Sequence, residues 1–136
     1  MSRKLQITQN FAVKSITSAK KFDHVTELFE KLKFLSLQQG RNIHEAVFTH
    51  KSLLQNHPHD ICQMYILQCP TSNTRGSHSA ILNYPPHKTQ KYENSPFYRC
   101  LKSWNSIPES ILKNTTTKAF KRDLQKDMIQ KQFSKN

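Results

Sequence analysis

Residues 23–55 read DHVTELFEKLKFLSLQQGRNIHEAVFTHKSLLQ and carry the clearest helical pattern in the chain. In the first part, apolar residues recur at the i, i+3, i+4 and i+7 spacing that lines one face of a helix. This spacing predicts a helix over residues 23–33, with Val25, Leu28, Phe29 and Leu32 on its apolar face. Ser36 and Gln39 then form a capping-box pattern and predict that another helix begins there.

The helix that begins near Ser36 has a broad apolar side. We expect it to end before Asn56-His57-Pro58, because proline disfavours helical backbone both at its own position and at the residue before it. Its predicted buried face and flanks consist of Ile43, Val47 and Leu54, with Leu37, Ala46 and Leu53.

The segment before this stretch, residues 3–21, is predicted to be a helix with two unlike sides. Leu5, Ala12, Ile16 and Ala19 fall on one stripe, and Arg3, Lys14 and Lys21 fall on the opposite ridge. We interpret the apolar stripe as the buried side. The row of cations has two interpretations, a surface that follows a phosphate backbone or an ordinary solvated face.

The segment after it changes character. Over residues 56–100, five prolines and many Ser, Thr and Asn interrupt every periodic pattern, which predicts an irregular and partly disordered loop. Residues 61–67 form either a short strand or a helix turn. Trp104 is interpreted as a core residue, with stacking on a nucleobase as the alternative, and Pro108 is expected to start a short helix through Ile111.

A final helix is predicted from Thr116 or Thr117 onward. Phe120, Leu124 and Met128 share its apolar side, with cations on the other side. The sequence therefore predicts a mainly α fold, a small packing unit of three N-terminal helices and one C-terminal helix with a long irregular middle loop. Its regions are residues 1–55, 56–100 and 101–136.

Charge is the strongest compositional signal. The 136 residues contain 21 Lys and Arg against 9 Asp and Glu, a net charge of +12. Residues 1–22 hold five basic residues and no acidic one, and residues 113–136 hold seven basic and two acidic residues. Such a balance favours polyanions, of which nucleic acid is the principal candidate.

Metal or nucleophilic chemistry has little support in the sequence. Asp23, Asp60, Asp123 and Asp127 are isolated, whereas a two-metal site needs clustered carboxylates. The spacing of His57, His59, Cys62 and Cys69 matches no common zinc pattern. Three cysteines fit a reducing compartment, and with no signal peptide or membrane-spanning run we expect an intracellular protein of the nucleus or cytoplasm.

Six short elements follow one another along the chain: LQ..QN.A over residues 5–12, H...L...L..LSL over 24–37, a basic element from 41 to 51, TR at 74–75, F......WN.IP over 97–108 and FK..L over 120–124. In this order they resemble the region after the polymerase palm in reverse transcriptases of non-LTR (LINE-like, jockey-type) retrotransposons. The residues matched to family motifs are Gln9, Asn10, His44, Lys51, Arg75, Trp104, Asn105, Pro108 and Phe120.

The resemblance covers nearly the whole chain and implies a thumb-like helical region that grips template and primer. The family's catalytic aspartates lie upstream of the matched region, so we expect a truncated or detached copy that is not an enzyme on its own. It is expected to hold no cofactor, whereas the parent polymerase would use Mg²⁺. Expected partners are RNA or DNA bound without sequence specificity, and the missing palm. The candidate phosphate contacts are Arg3, Lys14, Lys21, Arg41, Lys121 and Arg122. The alternative is a structural or protein-interaction remnant.

Overall fold

The computed structural model describes residues 2–65 and 81–133. Within these ranges the regular structure is α-helical and contains no strand, which confirms the prediction of a mainly α fold. The helices are α1 (Ser2–Ile16), α2 (Val25–Lys31), α3 (Leu37–Gln55), α4 (His59–Met64), α5 (Gln90–Glu93), α6 (Pro96–Asn105), α7 (Glu109–Leu112) and α8 (Thr117–Phe133).

Several helices begin at side-chain caps that can be recognised from the sequence. At the start of α3, the Gln39 N–H donates to Ser36 Oγ (3.4 Å) and the Ser36 N–H donates to Gln39 Oε1 (3.3 Å), which confirms the predicted capping box. At the start of α8, Thr116 Oγ1 accepts from the Ala119 N–H (3.4 Å). Each cap satisfies an amide that has no partner within its helix.

Helices α1, α2 and α3 are followed by residues in the left-handed region, although none of these residues is glycine. Ser18, Lys33 and Asn56 have φ values of 52°, 50° and 48°. After α2, the Phe34 N–H donates to the Phe29 carbonyl (2.8 Å) and the Lys33 N–H donates to the Glu30 carbonyl (3.0 Å), the two bonds of a Schellman motif. A residue with a side chain is strained in this region, which glycine adopts without strain. The sequence has 2 Gly in 136 residues, so other residues end these helices in spite of the strain.

The chain divides into two compact units, and α3 and α8 each contribute residues to both. Unit 1 comprises Met1–Arg41 and Gln125–Asn136, and unit 2 comprises Asn42–Leu124. In unit 1, α1 packs against α2, and the buried apolar residues include Val13 and Phe29. The Phe34 ring lies edge-on to Phe29 at a centroid distance of 6.2 Å.

The buried side of α1 is not the predicted apolar stripe. Leu5 and Ile16 are 51% and 68% exposed, whereas Val13 is 1% exposed. The helix also ends at Ile16, so Lys21 lies beyond it. The prediction was wrong because the packed side of α1 has a single buried apolar residue, Val13, whose neighbours on that side are half-buried polar residues that give no apolar periodicity. In this helix, Gln6 and Gln9 turn inward instead, since partners in the following segment satisfy their amides.

Unit 2 has an aromatic centre. Phe120 stacks on the His50 ring (centroids 4.1 Å apart) and on Trp104 (5.9 Å). Trp104 is 5% exposed, which confirms its assignment to the core. Phe120 and Leu124 of α8 are fully buried as predicted. Ile43 and Ala46 of α3 are buried, but Leu54 is half-exposed, and three polar residues of α3 are buried: Thr49, His50 and Ser52.

Within the predicted irregular region 56–100, the described residues 56–65 and 81–100 are more helical than its composition suggested. Residues 59–64 form α4, so of the two predictions for residues 61–67, strand or helix turn, the helical one is correct for residues 61–64. Ser95 caps α6 by accepting from the Tyr98 N–H (3.3 Å), with Pro96 in the first turn. These helices form despite the prolines because Pro58 and Pro96 stand before or within the first helical turn, where no amide donor is needed. The short helix after Pro108 is present as α7.

Candidate nucleic-acid interface

The N-terminal cations all belong to unit 1. Arg3 and Lys14 are eleven residues apart on α1, which places them within about 20° of each other around the helix axis. Arg3 is exposed and Lys14 is half-exposed. Lys4, Lys20 and Lys21 are exposed as well. In the part of the chain that the structure describes, the recorded ion pairs involve cations of other segments, so these five side chains have no carboxylate partner there.

The structure brings Lys14 and Lys21 together although only one of them belongs to α1. The Lys14 ammonium donates to the Lys21 backbone carbonyl (2.6 Å), folding the segment after α1 back toward its last turns. The Lys21 ammonium lies 6.0 Å from the centroid of the Phe22 ring. Two ammonium groups therefore belong to one local surface of unit 1.

The remaining candidate cations lie in other helices. Arg41 is half-buried in α3 and has an interaction partner. Lys121 and Arg122 are exposed on α8, within unit 2. Arg122 Nε lies 3.1 Å from Asp123 Oδ1, so part of its charge is neutralised. Of the six predicted phosphate contacts, Lys14 and Lys21 are thus the pair that the structure joins by a hydrogen bond, although they are seven residues apart in sequence.

Charge density differs between the two units. By sequence, unit 1 contains eleven basic and four acidic residues in 53 positions, and unit 2 contains ten basic and five acidic residues in 83. The net charges are +7 and +5. Unit 1 is therefore the more strongly cationic part of the chain.

Two residues that carry the family resemblance, Gln9 and Asn10, belong to a network of side-chain amides in unit 1. Gln6 Nε2 donates to Gln9 Oε1 (2.9 Å) and to Asn10 Oδ1 (3.0 Å). Gln9 Nε2 donates in turn to the Leu35 carbonyl (3.0 Å), and the Leu37 N–H donates to Gln6 Oε1 (3.4 Å). These residues join α1 to the chain that leads into α3, so the geometry gives them a structural role.

Asn105 holds an otherwise irregular segment in place. The Leu82 N–H donates to Asn105 Oδ1 (3.0 Å), and Asn105 Nδ2 donates to the Leu82 carbonyl (2.8 Å). The side-chain amide thus pairs with the backbone as a neighbouring β-strand would. Leu82 is fully buried, so both of its backbone groups depend on this partner. Pro108 provides the N-cap position of α7.

Two other motif residues, His44 and Lys51, are exposed on α3. They are available to solvent and to a partner, unlike the buried Phe120 and Trp104. Arg75, the motif residue of the middle segment, lies outside the described residues.

Sequence reasoning missed two residues, a buried histidine of unit 2 and an exposed phenylalanine of unit 1. His50 is 3% exposed, and its Nε2–H donates to the Asn114 carbonyl (2.9 Å) while its ring stacks on Phe120. The only feature of the sequence that could have predicted the burial of His50 is its position one turn after the apolar Ala46 of α3. Phe11 is 72% exposed beside Lys14. Its position away from the apolar stripe of Leu5 and Ile16 was the available signal.

The zinc and two-metal sites considered from the sequence have no support among the described residues, where no three His, Cys, Asp or Glu side chains come together. His59 Nε2 is hydrogen-bonded to Gln63 (2.8 Å), and the Cys62 thiol donates to the Ser52 carbonyl (3.1 Å). Cys69 lies outside the described residues. Burial raises the pKa of the Cys100 thiol, which opposes the formation of a nucleophilic thiolate.

None of the helices within residues 2–65 and 81–133 has the length and apolar composition needed to cross a bilayer. No protein-family model, no curated protein and no solved structure matches the chain.

Proposed function

We propose that the chain binds the phosphate backbone of RNA or DNA without reading sequence, chiefly through unit 1. The observation that carries this proposal is a group of five cations in the N-terminal segment of unit 1 that have no carboxylate partner among the described residues: Arg3, Lys4, Lys14, Lys20 and Lys21. Unpaired exposed cations keep their full charge for a polyanion, and each phosphate they neutralise releases condensed counterions.

The same role follows from the resemblance to the post-palm region of non-LTR reverse transcriptases, where a thumb-like region holds template and primer. In those enzymes the palm aspartates carry out nucleotide addition, and no residue of this chain is matched to them. We therefore propose binding without catalysis. A primer-extension assay with Mg²⁺ or Mn²⁺ is expected to show no templated synthesis by the isolated chain, and synthesis there would overturn this part of the proposal.

Salt dependence tests the electrostatic mechanism. If the five cations each neutralise one phosphate, the logarithm of affinity for a single strand falls with the logarithm of salt concentration at a slope of about −3.5. An increase from about 50 to about 200 mM salt then weakens binding roughly 100-fold. The measurement is fluorescence anisotropy of a labelled oligonucleotide. An affinity that does not change over this range contradicts the proposal.

Charge reversal tests the location. Lys14→Glu combined with Lys21→Glu removes two cations from unit 1, and Lys88→Glu combined with Lys91→Glu makes the same charge change at two exposed lysines of unit 2. We expect the first pair to weaken binding much more than the second, with circular dichroism checking that both variants keep their helices. Equal losses would assign binding to net charge alone.

A second candidate function, association with another protein, is favoured by the exposure of the apolar stripe on α1. Leu5, Ala12 and Ile16 were expected to be buried and are exposed instead. If this stripe is a protein-binding surface, such as one for the polymerase palm, Leu5→Gln with Ile16→Gln will increase solubility and leave oligonucleotide affinity unchanged. A loss of oligonucleotide affinity would assign the stripe to the nucleic-acid surface instead.

A further inference from the structure

A cleft of about 700 Å³ lies beside the last turns of α1 in unit 1. It is formed by α1, by the segment that folds back after it and by the start of α2. Its lining combines an exposed aromatic ring, two cationic side chains, and small polar or aliphatic side chains: Phe11, Lys14, Lys21, Asn10, Ser18 and Val25. The volume is typical of sites that bind small organic groups.

The cations give the cleft a positive rim. The Lys14 ammonium uses one of its three N–H donors on the Lys21 carbonyl and has two others for an anion. None of the described residues that line the cleft is acidic. Asp23, the nearest acidic residue along the chain, accepts from the Lys20 backbone N–H (2.7 Å). The rim is therefore complementary to a phosphate group.

The aromatic ring adds a second type of contact. Phe11 is 72% exposed, so one face of a large apolar ring is open to solvent within the cleft. A flat nucleobase stacks on such a ring, and proteins that bind single strands combine stacking rings with cations along the backbone. Bases in a duplex are already stacked on their neighbours, so they cannot make this contact without being unstacked.

The distribution of apolar residues disfavours a bilayer surface as the partner. At 100° per residue, Leu5 and Ile16 lie about 120° and 140° around the α1 axis from Phe11. A helix that lies in a membrane interface needs its apolar residues on one side. On α1 the exposed apolar residues are divided between two sides, with Leu5 and Ile16 on one and Phe11 on the other, together with Ile7, which is 60% exposed and about 40° away. Phe11 shares its side with the cations.

We propose that this cleft holds one unpaired nucleotide of single-stranded RNA or DNA, with the base stacked on Phe11 and a neighbouring phosphate bound by Lys14 and Lys21. The inference rests on the proposed function, because it assumes that the cations of unit 1 bind nucleic acid. It adds a preference for single strands and assigns that preference to the uncharged ring of Phe11.

The test compares labelled single strands of DNA and of RNA with a duplex, by anisotropy on the full chain. Phe11→Ala is expected to weaken single-strand binding roughly 5- to 150-fold and to leave duplex binding and the salt slope unchanged. Phe11→Tyr, which keeps the ring, should retain the affinity. The matched control is Phe48→Ala, which removes a 42% exposed phenylalanine from α3 of unit 2 and should change neither affinity.

The possible failures are distinguishable. If the unmodified chain binds neither single strands nor duplex, the proposed function fails. If it binds both with the expected salt slope, and Phe11→Ala binds single strands as tightly as the unmodified chain does, only the present inference is overturned. The inference is also overturned if Phe11→Ala abolishes binding to anionic phosphatidylserine vesicles but leaves single-strand affinity intact, since the cleft would then serve a lipid surface. If Phe11→Ala loses binding to single-stranded RNA alone or to single-stranded DNA alone, the result supports the inference and identifies which nucleic acid the cleft holds.

Discussion

Replacing Asn105 by alanine should destabilise unit 2 far more than the loss of one polar side chain usually does. The substitution removes the partner of both the N–H and the carbonyl of Leu82, and this residue is fully buried. A buried backbone group without a partner costs about 1–3 kcal/mol. For the two groups together we expect a loss of about 2–6 kcal/mol from a total unfolding free energy on the order of 5–15 kcal/mol.

The assay is urea denaturation followed by the fluorescence of Trp104, the single tryptophan of the chain and a buried residue of the same helix as Asn105. The midpoint should fall while the slope m stays constant, since the surface exposed on unfolding is unchanged. In thermal unfolding, the loss corresponds to a decrease in Tm of roughly 8–24 °C for a chain of this size.

Asn105→Asp separates the two hydrogen bonds. A carboxylate still accepts from the Leu82 N–H, but it places an oxygen where Nδ2 now donates to the Leu82 carbonyl. We expect this variant to be at least as unstable as Asn105→Ala near neutral pH. The control is Asn94→Ala at an exposed helix end, which should change stability by less than about 0.5 kcal/mol. A loss below about 0.5 kcal/mol for Asn105→Ala would refute the reasoning.

Two further predictions concern a titrating group and a helix end. The hydrogen bond from His87 Nε2 to Glu93 Oε1 (2.9 Å) raises the pKa of His87 above its ordinary value of 6.5, so NMR titration should find a higher pKa that Glu93→Gln lowers. Because the pKa of His87 is raised in the folded state, this contact stabilises the fold fully at pH values below the unfolded-state pKa. The stabilisation is lost as pH rises through the folded-state pKa. An unshifted pKa of His87 would contradict the geometry. Lys33→Gly should stabilise the fold by about 1 kcal/mol in urea denaturation, because Lys33 has a φ of 50° that glycine adopts without strain, whereas Lys31→Gly inside α2 should destabilise it.

Much of the secondary structure could be predicted because its causes lie within a few residues. The capping box of Ser36 and Gln39, the cap at Thr116 and the position of Pro108 located the starts of α3, α8 and α7. The burial of Phe120, the first residue of the apolar pattern in the last helix, was also predictable, because its helix has a single apolar side. In each case a local pattern had one structural solution.

The candidate site was only partly predictable. The cationic character of residues 3–21 was evident, but the proximity of Lys14 and Lys21 arises from a chain reversal after Ile16 that the helical pattern did not indicate. The cleft beside Phe11 depends on that same reversal. A helix continued to Lys21, as the spacing predicted, would have had no such cleft.

The sequence by itself determined that the chain is helical, where its long helices begin and that its N-terminal segment is strongly basic, because these properties depend on local spacing, caps and charge. Which side of α1 is buried was settled by tertiary structure. The half-buried amides of Gln6 and Gln9 can lie on the packed side because the backbone of Leu35 and Leu37 supplies hydrogen-bond partners from a distant part of the chain. Burial of a polar side chain depends on such partners, and their positions are known only once the helices have packed.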